Sequence, residues 1–344
     1  MLVLIRILSA FLAFGVMASQ AQRQSWQIGG AGLAWSEADS IQVLIDFDSS
    51  WGAIQPVYID PTRSLFSYYS GWQPLKDPRE LIYVEGETPR AWKGSVGNVT
   101  TAHNGTYMVD GDSSTFNPPV SSNPEVWYTF DLAVPVPAHS FGFFTPPRGF
   151  RADGTPFAQD AVPAYEVSIA AEGDPNWLEG NQPYKPVGPL IADVNNNFSA
   201  RVQIDFPRQY VRFVRYLRKS SVLDEQGTTD SNAVRGTIAE FLLKGSGVPK
   251  RVVYLSKILE LDQEVNFGRL GWSARGMRMV DGVPVEVEDA GAWVEVEVRV
   301  GRDADPNIYH EYTDSGKEFS VTRERYEHEL RLPETEGILQ IDQQ

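Results

Sequence analysis

The chain of 344 residues contains no cysteine, and histidine is nearly as scarce, with four residues. The absence of cysteine excludes disulfides, thiolate nucleophiles and zinc sites that use thiolates. An exported domain without disulfides must be stabilised by its hydrophobic core, with or without a bound metal ion. No two of the histidines have the spacing typical of metal ligands, so we expect surface or turn positions for them. They are His103, His139, His310 and His328.

Signatures of catalysis are also missing from the sequence. It contains no Gly-x-Ser-x-Gly motif and no glycine loop between a strand and a helix that would hold a phosphate. A carboxylate pair for glycoside hydrolysis cannot be located from sequence, because acidic residues are numerous. Acidic residues outnumber basic ones by 45 to 30, which gives a formal net charge of −15. Such a surface repels phosphate backbones, so we predict that the protein does not bind nucleic acid. Because the catalytic signatures are missing, we also predict that it is not an enzyme.

A long apolar run occurs only at the N-terminus, in MLVLIRILSAFLAFGVMASQAQ. Arg6 precedes an apolar stretch from Ile7 to Met17, and small residues around Ala21 follow. This pattern predicts a signal peptide over residues 1–21. A membrane anchor is the alternative, but the apolar stretch is short for crossing a bilayer. We therefore predict no transmembrane segment after cleavage, and a secreted, periplasmic or cell-surface protein.

Asn-x-Ser/Thr sequons begin at Asn98, Asn104 and Asn197. They would accept glycans in a eukaryotic secretory pathway. The absence of cysteine favours a bacterial exporter, in which the sequons would be incidental.

Short runs of β-branched and aromatic residues recur along the chain, separated by Gly, Pro, Asn and Asp. In the run at 293–300, valines alternate with Trp293 and charged side chains, as on a strand with one buried face. No amphipathic helix of three turns is convincing. We therefore predict an all-β fold, and the strand spacing favours sandwiches. The predicted strands include IQVLIDF (41–47), VWYTFDL (126–132), YEVSIAA (165–171), ARVQIDF (200–206), YVRFVRYL (210–217) and WVEVEVRV (293–300).

The composition divides the mature chain into three predicted regions. Residues 22–94 form an N-terminal β-rich region, residues 95–247 carry the longest coherent set of strands, and residues 251–344 form a C-terminal β-sandwich-like domain. The stretch GSGVPK (245–250) is the predicted linker. The last region ends in ILQIDQQ without a closing turn, which suggests a truncated domain. Its Arg-Asp-Ala-Asp-Pro segment is expected to be a solvated turn, with a cation site as the alternative.

The middle region contains a series of motifs in a specific order. VDGDSSTF is followed by VWYTFDL, PAYEVSIAAEGDPNW, YVRFVRYLRKSS and TIAEFLLKGSG. This series resembles the discoidin family, also called coagulation factor 5/8 type C domains, which includes many bacterial carbohydrate-binding modules. The resemblance implies a discoidin-like jelly-roll β-sandwich, flanked by other β regions, with loops at one end that bind sugars, lipid head groups or proteins. Phe116 stands where the family often has tryptophan, and the loop over 145–162 is long.

The resemblance also implies one structural calcium ion. Its ligands would be a carboxylate of Asp110 or Asp112, the hydroxyl and carbonyl of Thr115, the carbonyl of Ala239 and the carboxylate of Glu240. Calcium takes about six to eight oxygen ligands, which a tight acidic turn can supply in part. An EF-hand does not match, because Thr115 occupies the position of its required glycine. An ordinary Asp-Gly turn between strands remains the alternative.

Aromatic side chains and planar polar groups are typical of sugar recognition. A proline- and glycine-rich loop carries the two strongest candidates, Arg148 and Phe150. His103 and Tyr107 precede the acidic turn, and Trp177 ends another loop. The alternative for each of these aromatic residues is a place in the core.

We therefore predict an exported, non-enzymatic binding protein whose discoidin-like module recognises carbohydrate or another cell-surface ligand. Two alternatives stay open. In the first alternative, the chain is a structural component of a surface scaffold. In the second, it is the accessory region of a larger secreted hydrolase.

Overall fold

The computed structural model describes residues 26–48, 52–69, 90–95, 98–104, 106–116, 126–151, 154–171, 186–219, 236–260, 269–280, 283–296, 309–312, 315, 317–322, 325–326 and 340–343. The chain forms two compact units, Met1–Ser256 and Lys257–Gln344. Strands dominate both units, which confirms the predicted all-β class. A short α-helix, α1 (Trp35–Ala38), directly precedes the first strand. None of the helices among the described residues has the length and apolarity that a membrane crossing requires.

The first unit is built from eleven of the described strands. Short 3₁₀ helices occur at Leu65–Tyr68, Thr106–Met108 and Phe157–Gln159. The strands are β1 (Asp39–Val43), β2 (Ile45–Asp48), β3 (Ala53–Pro56), β4 (Arg90–Ser95), β5 (Asn98–Asn104), β6 (Val126–Phe144), β7 (Tyr165–Ala170), β8 (Leu190–Val194), β9 (Arg201–Arg218), β10 (Glu240–Gly245) and β11 (Val253–Ser256).

Seven strands form one antiparallel sheet in the order β5-β4-β6-β9-β7-β8, with β10 paired to β6. Its two long strands, β6 and β9, carry register shifts between Asp131 and Val136 and between Ala138 and Ser140. The first half of β6 pairs with β4, and the second half pairs with β10. The irregularities allow both strands to bend, because a bulge increases the local twist of its strand. Each long strand therefore contributes to two layers.

Aromatic rings fill the space between the two layers. The ring of Phe143, from the second half of β6, lies 5.1 Å from the ring of Tyr216 and 5.1 Å from that of Tyr165. Phe241 of β10 lies 5.2 Å from Tyr128 and 5.1 Å from Tyr216. Burying each such ring stabilises the fold by about 1.5–3 kcal/mol. The sheet is thus folded over on itself into a sandwich with an aromatic core.

A buried ion pair lies at the bend of β6. Arg212 Nε donates to Asp131 Oδ1 at 2.8 Å, and both side chains are almost fully buried. Asp131 Oδ1 also accepts a hydrogen bond from the Ala133 amide at 2.9 Å, and Ala133 has a φ of 63°. The carboxylate therefore holds a backbone conformation that residues other than glycine seldom adopt.

The segment before the sandwich completes its core. Leu65 and Phe66 are buried, and the Tyr69 hydroxyl donates to the carbonyl of Leu132 at 2.9 Å. Ile59 bridges to Gly247 just after β10, and β1 pairs with β11. These pairings join the N-terminal segment to the predicted linker at 245–250 itself and to the strand that follows it. For that reason the first compact unit continues to Ser256 instead of dividing at the linker.

The second unit consists of two-stranded sheets in its described part. β12 (Arg269–Trp272) pairs in parallel with β17 (Gln340–Gln343). β13 (Met277–Val280) pairs with β14 (Val283–Glu286), and β15 (Tyr309–Tyr312) pairs with β16 (Glu318–Val321), both antiparallel.

The predicted strand at 293–300 is wrong over its described part. Residues 293–296 form no strand, and 297–300 lie outside the described residues. Trp293 is 83% exposed and Val294 is 50% exposed. The alternation of valine with charged residues predicts a buried face only when a neighbouring strand pairs with the segment, and none of the described strands does so.

Candidate functional site

Several connections of the sandwich gather at one end. The end of β6 at Phe144 lies in register with the beginnings of β9 and β10. The Thr145 amide donates to the carbonyl of Ala200 at 3.0 Å, and the Ala239 amide donates to the carbonyl of Phe144 at 2.9 Å. This end, the loop end, carries the acidic turn and the proline-rich loop that the sequence analysis singled out.

The acidic turn is closed by its own side chains. Asp110 Oδ1 accepts a hydrogen bond from the Asp112 amide at 2.8 Å, and Asp112 Oδ1 accepts one from the Ser114 amide at 2.8 Å. Thr115 Oγ1 donates to Asp110 Oδ2 at 2.9 Å. Gly111 has a φ of 81°, a conformation that glycine adopts without strain. The turn therefore gathers carboxylate, hydroxyl and carbonyl oxygens within six residues of chain, 110–115.

Glu240 reaches this turn from the far end of the module. Its Oε1 accepts a hydrogen bond from the Gly111 amide at 2.6 Å. Burial, followed by a side-chain hydrogen bond with Asp110, raises the pKa of Glu240 to about 8, although the backbone N–H of Gly111 acts in the opposite direction. Two carboxyl groups that lie this close cannot both carry a negative charge without mutual repulsion. A proton on Glu240 or a bound cation would relieve that repulsion.

The predicted metal ligands are therefore brought together in part. Asp110, Thr115 and Glu240 meet, and buried Ala239 immediately precedes Glu240. The carboxylate of Asp112 is exposed and binds Ser114 instead. No group of three or more histidine, aspartate or glutamate side chains placed to hold a metal occurs among the described residues. An ion here would need hydroxyl and carbonyl oxygens as well, and those are donors that calcium accepts and zinc seldom uses.

The proline-rich loop forms a small hairpin, which we call the Phe150 hairpin, with described arms at 148–151 and 154–157. Phe150 bridges to Pro156, and the Arg151 amide donates to the carbonyl of Thr155 at 2.9 Å. Phe150 is 67% exposed, and Arg148 beside it is also exposed. The hairpin therefore presents an aromatic face and a guanidinium group to solvent from a paired backbone.

The Phe150 hairpin contacts the acidic turn. The ring of Phe157, at the base of the hairpin, lies 5.0 Å from the ring of Phe116, which directly follows Thr115. The family often has tryptophan at Phe116, and here phenylalanine makes the contact. The two features that the sequence suggested as separate sites are thus neighbours at the loop end.

The other predicted ligand residues are placed differently. Tyr107 is half-buried and packs against the core, and burial raises the pKa of its hydroxyl. His103 is described through its backbone in β5, where it pairs with Lys93 of β4. Trp177 lies outside the described residues.

One exposed aromatic side chain at the loop end was missed. Phe198, between β8 and β9, is 91% exposed. Its neighbour Asn197 fixes the loop, because Asn197 Nδ2 donates to the carbonyl of Val162 at 2.8 Å and the Asn197 amide donates to that of Pro163 at 2.8 Å. A phenylalanine directly after a run of asparagines was a usable signal, since such a run predicts a turn.

Comparisons with known proteins find similarity among solved structures. No protein-family model and no curated protein sequence matches the chain. A family 32 carbohydrate-binding module from Clostridium perfringens, solved with GalNAc-β-1,3-galactose, has a TM-score of 0.29 and 13% identity, over 46% of this chain and 95% of that one. The family 32 module of C. perfringens NanJ, solved with galactose, has a TM-score of 0.28 and 11% identity, over 45% and 92%. A fucolectin from striped bass, Morone saxatilis, has a TM-score of 0.28 and 16% identity, over 52% of this chain and 50% of that chain.

Proposed function

We propose that the chain is an exported, non-enzymatic binding protein and that its first unit binds carbohydrate at the loop end. The observation that carries the proposal is the exposure of Phe150 beside Arg148 on a paired hairpin. The face of an aromatic ring stacks on the C–H surface of a sugar, and a guanidinium donates hydrogen bonds to hydroxyl oxygens in a fixed plane.

We further propose that a calcium ion binds between the acidic turn and Glu240. Asp110, Thr115 and Glu240 would hold it, together with the carbonyl of Ala239. The ion would supply positive charge that stabilises both carboxylates in their ionised form. It would also join the opening turn of the module to its last strand. The proposed role is structural, because the ion would bind two parts of the chain that are 129 positions apart.

A glycan array tests the binding proposal. The full mature chain is applied with calcium and then with EGTA, on an array that includes galactose, GalNAc-β-1,3-galactose and chitosan oligosaccharides. Phe150→Ala and Arg148→Ala are expected to lower the signal on the bound glycan by about tenfold or more, the effect of losing one good contact of about 1.4 kcal/mol. The matched control is Phe319→Ala, which removes an exposed ring from the second unit. Equal binding by wild type and both hairpin variants would overturn the proposed site.

A structural scaffold protein is the second candidate. The observation in its favour is an apolar surface on the β13–β14 hairpin of the second unit, where Val280, Val283 and Val285 are 47%, 60% and 44% exposed. Exposed apolar patches mark protein contacts in soluble proteins. Concentration-dependent self-association, lost in Val283→Lys and unaffected by Phe150→Ala, together with an empty glycan array, would favour this role.

A further inference from the structure

Asp160 is a buried carboxylate that the binding surface does not use directly. It is 1% exposed and lies just after the Phe150 hairpin. Its Oδ1 accepts hydrogen bonds from Arg151 Nη1 at 2.8 Å and from the Gly236 amide at 2.9 Å. Its Oδ2 accepts from the Thr237 amide at 2.9 Å and from Thr237 Oγ1 at 2.7 Å. A buried charge is stable when it is paired and fully hydrogen-bonded, as Asp160 is.

These donors belong to two different parts of the loop end. Gly236 and Thr237 precede β10, the strand that carries Glu240, so one side of Asp160 is anchored to the sandwich. Successive backbone N–H groups that point at one spot form a natural site for a carboxylate. Arg151 belongs to the Phe150 hairpin, next to Phe150 itself. Asp160 therefore links the exposed hairpin to the sheet through a single side chain.

Contacts between the two arms of the hairpin also hold its shape. The Phe157 amide donates to the carbonyl of Gly149 at 3.1 Å. Gly149 has a φ of 98°, and a Cβ atom there would lie 3.1 Å from the Phe157 ring. The ring of Phe157 thus packs closely under the turn that carries Arg148 and Phe150. It fixes the base of the hairpin, while the Arg151–Asp160 pair fixes the arm.

We infer that Asp160, acting through Arg151, is a positioning residue for the ligand hairpin. It holds the Phe150 ring and the Arg148 guanidinium in one geometry before a sugar arrives. Because the hairpin is already ordered, binding does not include the entropic cost of ordering it, and that cost would otherwise lower the affinity. The inference rests on the proposed carbohydrate-binding function of the same hairpin. It adds that affinity depends on a residue pair that no sugar needs to touch.

The test uses Arg151→Gln in the full mature chain, with Arg151→Lys as the conservative variant. Arg151 is the better target because Asp160 keeps three other donors and the Arg151 side chain is 18% exposed. The matched control is Arg208→Gln, which removes an exposed arginine from the bend of β9. Affinity is measured by titration with GalNAc-β-1,3-galactose, galactose and a chitosan oligosaccharide. Hydrogen exchange is measured at the amides of Arg151, Gly154 and Phe157, whose hydrogen bonds close the hairpin.

We expect Arg151→Gln to weaken glycan binding by about tenfold and to accelerate exchange at those amides by a similar factor, since loss of order appears in both. Arg151→Lys should restore most of both, and Arg208→Gln should change neither. The melting temperature of Arg151→Gln should stay within a few degrees of the wild-type value, which separates a loss of positioning from unfolding of the unit. Unchanged exchange and unchanged affinity in Arg151→Gln would overturn the inference.

The two proposals fail in different ways. If the wild type binds none of these glycans, the proposed function is wrong, and hydrogen exchange alone decides whether Arg151 orders the hairpin. If the wild type binds a glycan and Phe150→Ala abolishes binding while Arg151→Gln does not weaken it, the function stands and the positioning role is wrong.

Discussion

Gly111 and Glu240 are 129 positions apart in the chain, and the backbone N–H of Gly111 donates to Glu240 Oε1 at 2.6 Å. The contact joins the first acidic turn of the module to the beginning of its last strand. Glu240 also hydrogen-bonds to Asp110, so two carboxyl groups meet at this junction. A junction of like charges at the two ends of a module is a natural place for stability to depend on protons and cations.

Calcium should stabilise the first unit. If the ion binds only the native state, about 1 mM calcium and a Kd of about 10 µM give about 2.7 kcal/mol of stabilisation. We expect the melting temperature of metal-stripped protein to rise by about 5 °C or more, and we expect Glu240→Gln to lose that rise. Glu288→Gln, which neutralises an exposed glutamate of the second unit, is the control. A melting curve that calcium leaves unchanged in the wild type would rule out the site.

Without calcium, stability should fall as the pH rises. The pKa of Glu240 is raised from 4.5 to about 8 in the folded protein, chiefly by burial. The folded state therefore binds a proton more tightly than the unfolded state does. The stability contribution is fully present below about pH 4.5 and is lost as the pH rises through about 8.

Urea unfolding in EGTA between these pH values measures this contribution as the difference between wild type and Glu240→Gln. In saturating calcium the wild type should no longer lose stability as the pH rises, because a cation favours the ionised carboxylate. A wild type and a variant with parallel pH profiles in EGTA would contradict the prediction.

Phe241 should be a large single contributor to the stability of the sandwich. Its ring lies within about 6 Å of five other rings, those of Tyr128, Phe130, Phe141, Phe143 and Tyr216. We expect Phe241→Ala to lower the free energy of unfolding by about 3–5 kcal/mol, through lost burial and a residual cavity. Phe198→Ala removes the same side chain from a position that is 91% exposed, and it should change stability little. Equal effects of the two substitutions would place Phe241 outside the core.

The sequence predicted the strands of the sandwich well and its bends poorly. The runs at 126–132, 165–171, 200–206 and 210–217 all lie in observed strands. Local patterns did not show that Val126–Phe144 is one strand that serves two layers. At that bend Asp131 pairs with Arg212, which is 81 positions away in the chain. The prediction over 293–296 failed for the same reason, because a pattern of alternation does not specify a partner strand.

For the candidate site, too, the sequence predicted the local features and missed a contact between distant parts of the chain. The Pro-Pro and Gly residues predicted that the segment with Phe150 is a loop. The order of the discoidin-like motifs predicted that Asp110 and Glu240 lie close together. Asp160 was missed, because its partners Gly236 and Thr237 lie 76 and 77 positions away and no local spacing predicts them.

Removing one partner of the buried Arg212–Asp131 pair should lower the free energy of unfolding strongly. Arg212→Met would leave the Asp131 carboxylate buried without its cation, and we expect a loss of about 3–5 kcal/mol in urea unfolding. Adding Asp131→Asn should recover part of the loss, because the amide oxygen still accepts the bond from the Ala133 amide. Arg208→Met, at an exposed position, is the control. A double variant less stable than Arg212→Met alone would contradict this account of the pair.

Asn197 should behave as a structural residue and not as a glycan acceptor. Its side-chain Nδ2 donates to the carbonyls of Val162 at 2.8 Å and Ser199 at 3.0 Å, and its Oδ1 accepts a bond from the Ser199 amide at 3.1 Å. A glycan on Nδ2 would replace one of the two donated hydrogens. Asn197→Ala should therefore destabilise the first unit by about 1–2 kcal/mol, while Asn196→Ala, an exposed neighbour, should not.

Expression in a eukaryotic secretory host gives an independent measurement of the same contacts. Glycosylation precedes or accompanies folding, so a folded, secreted population should carry no glycan at Asn197, and any chain modified there should be retained or melt at a lower temperature. Mass spectrometry of the secreted protein reports the occupancy. Full occupancy at Asn197 with an unchanged melting temperature would mean that the loop before β9 is held by the backbone bond from the Asn197 amide to Pro163, without the side-chain bonds.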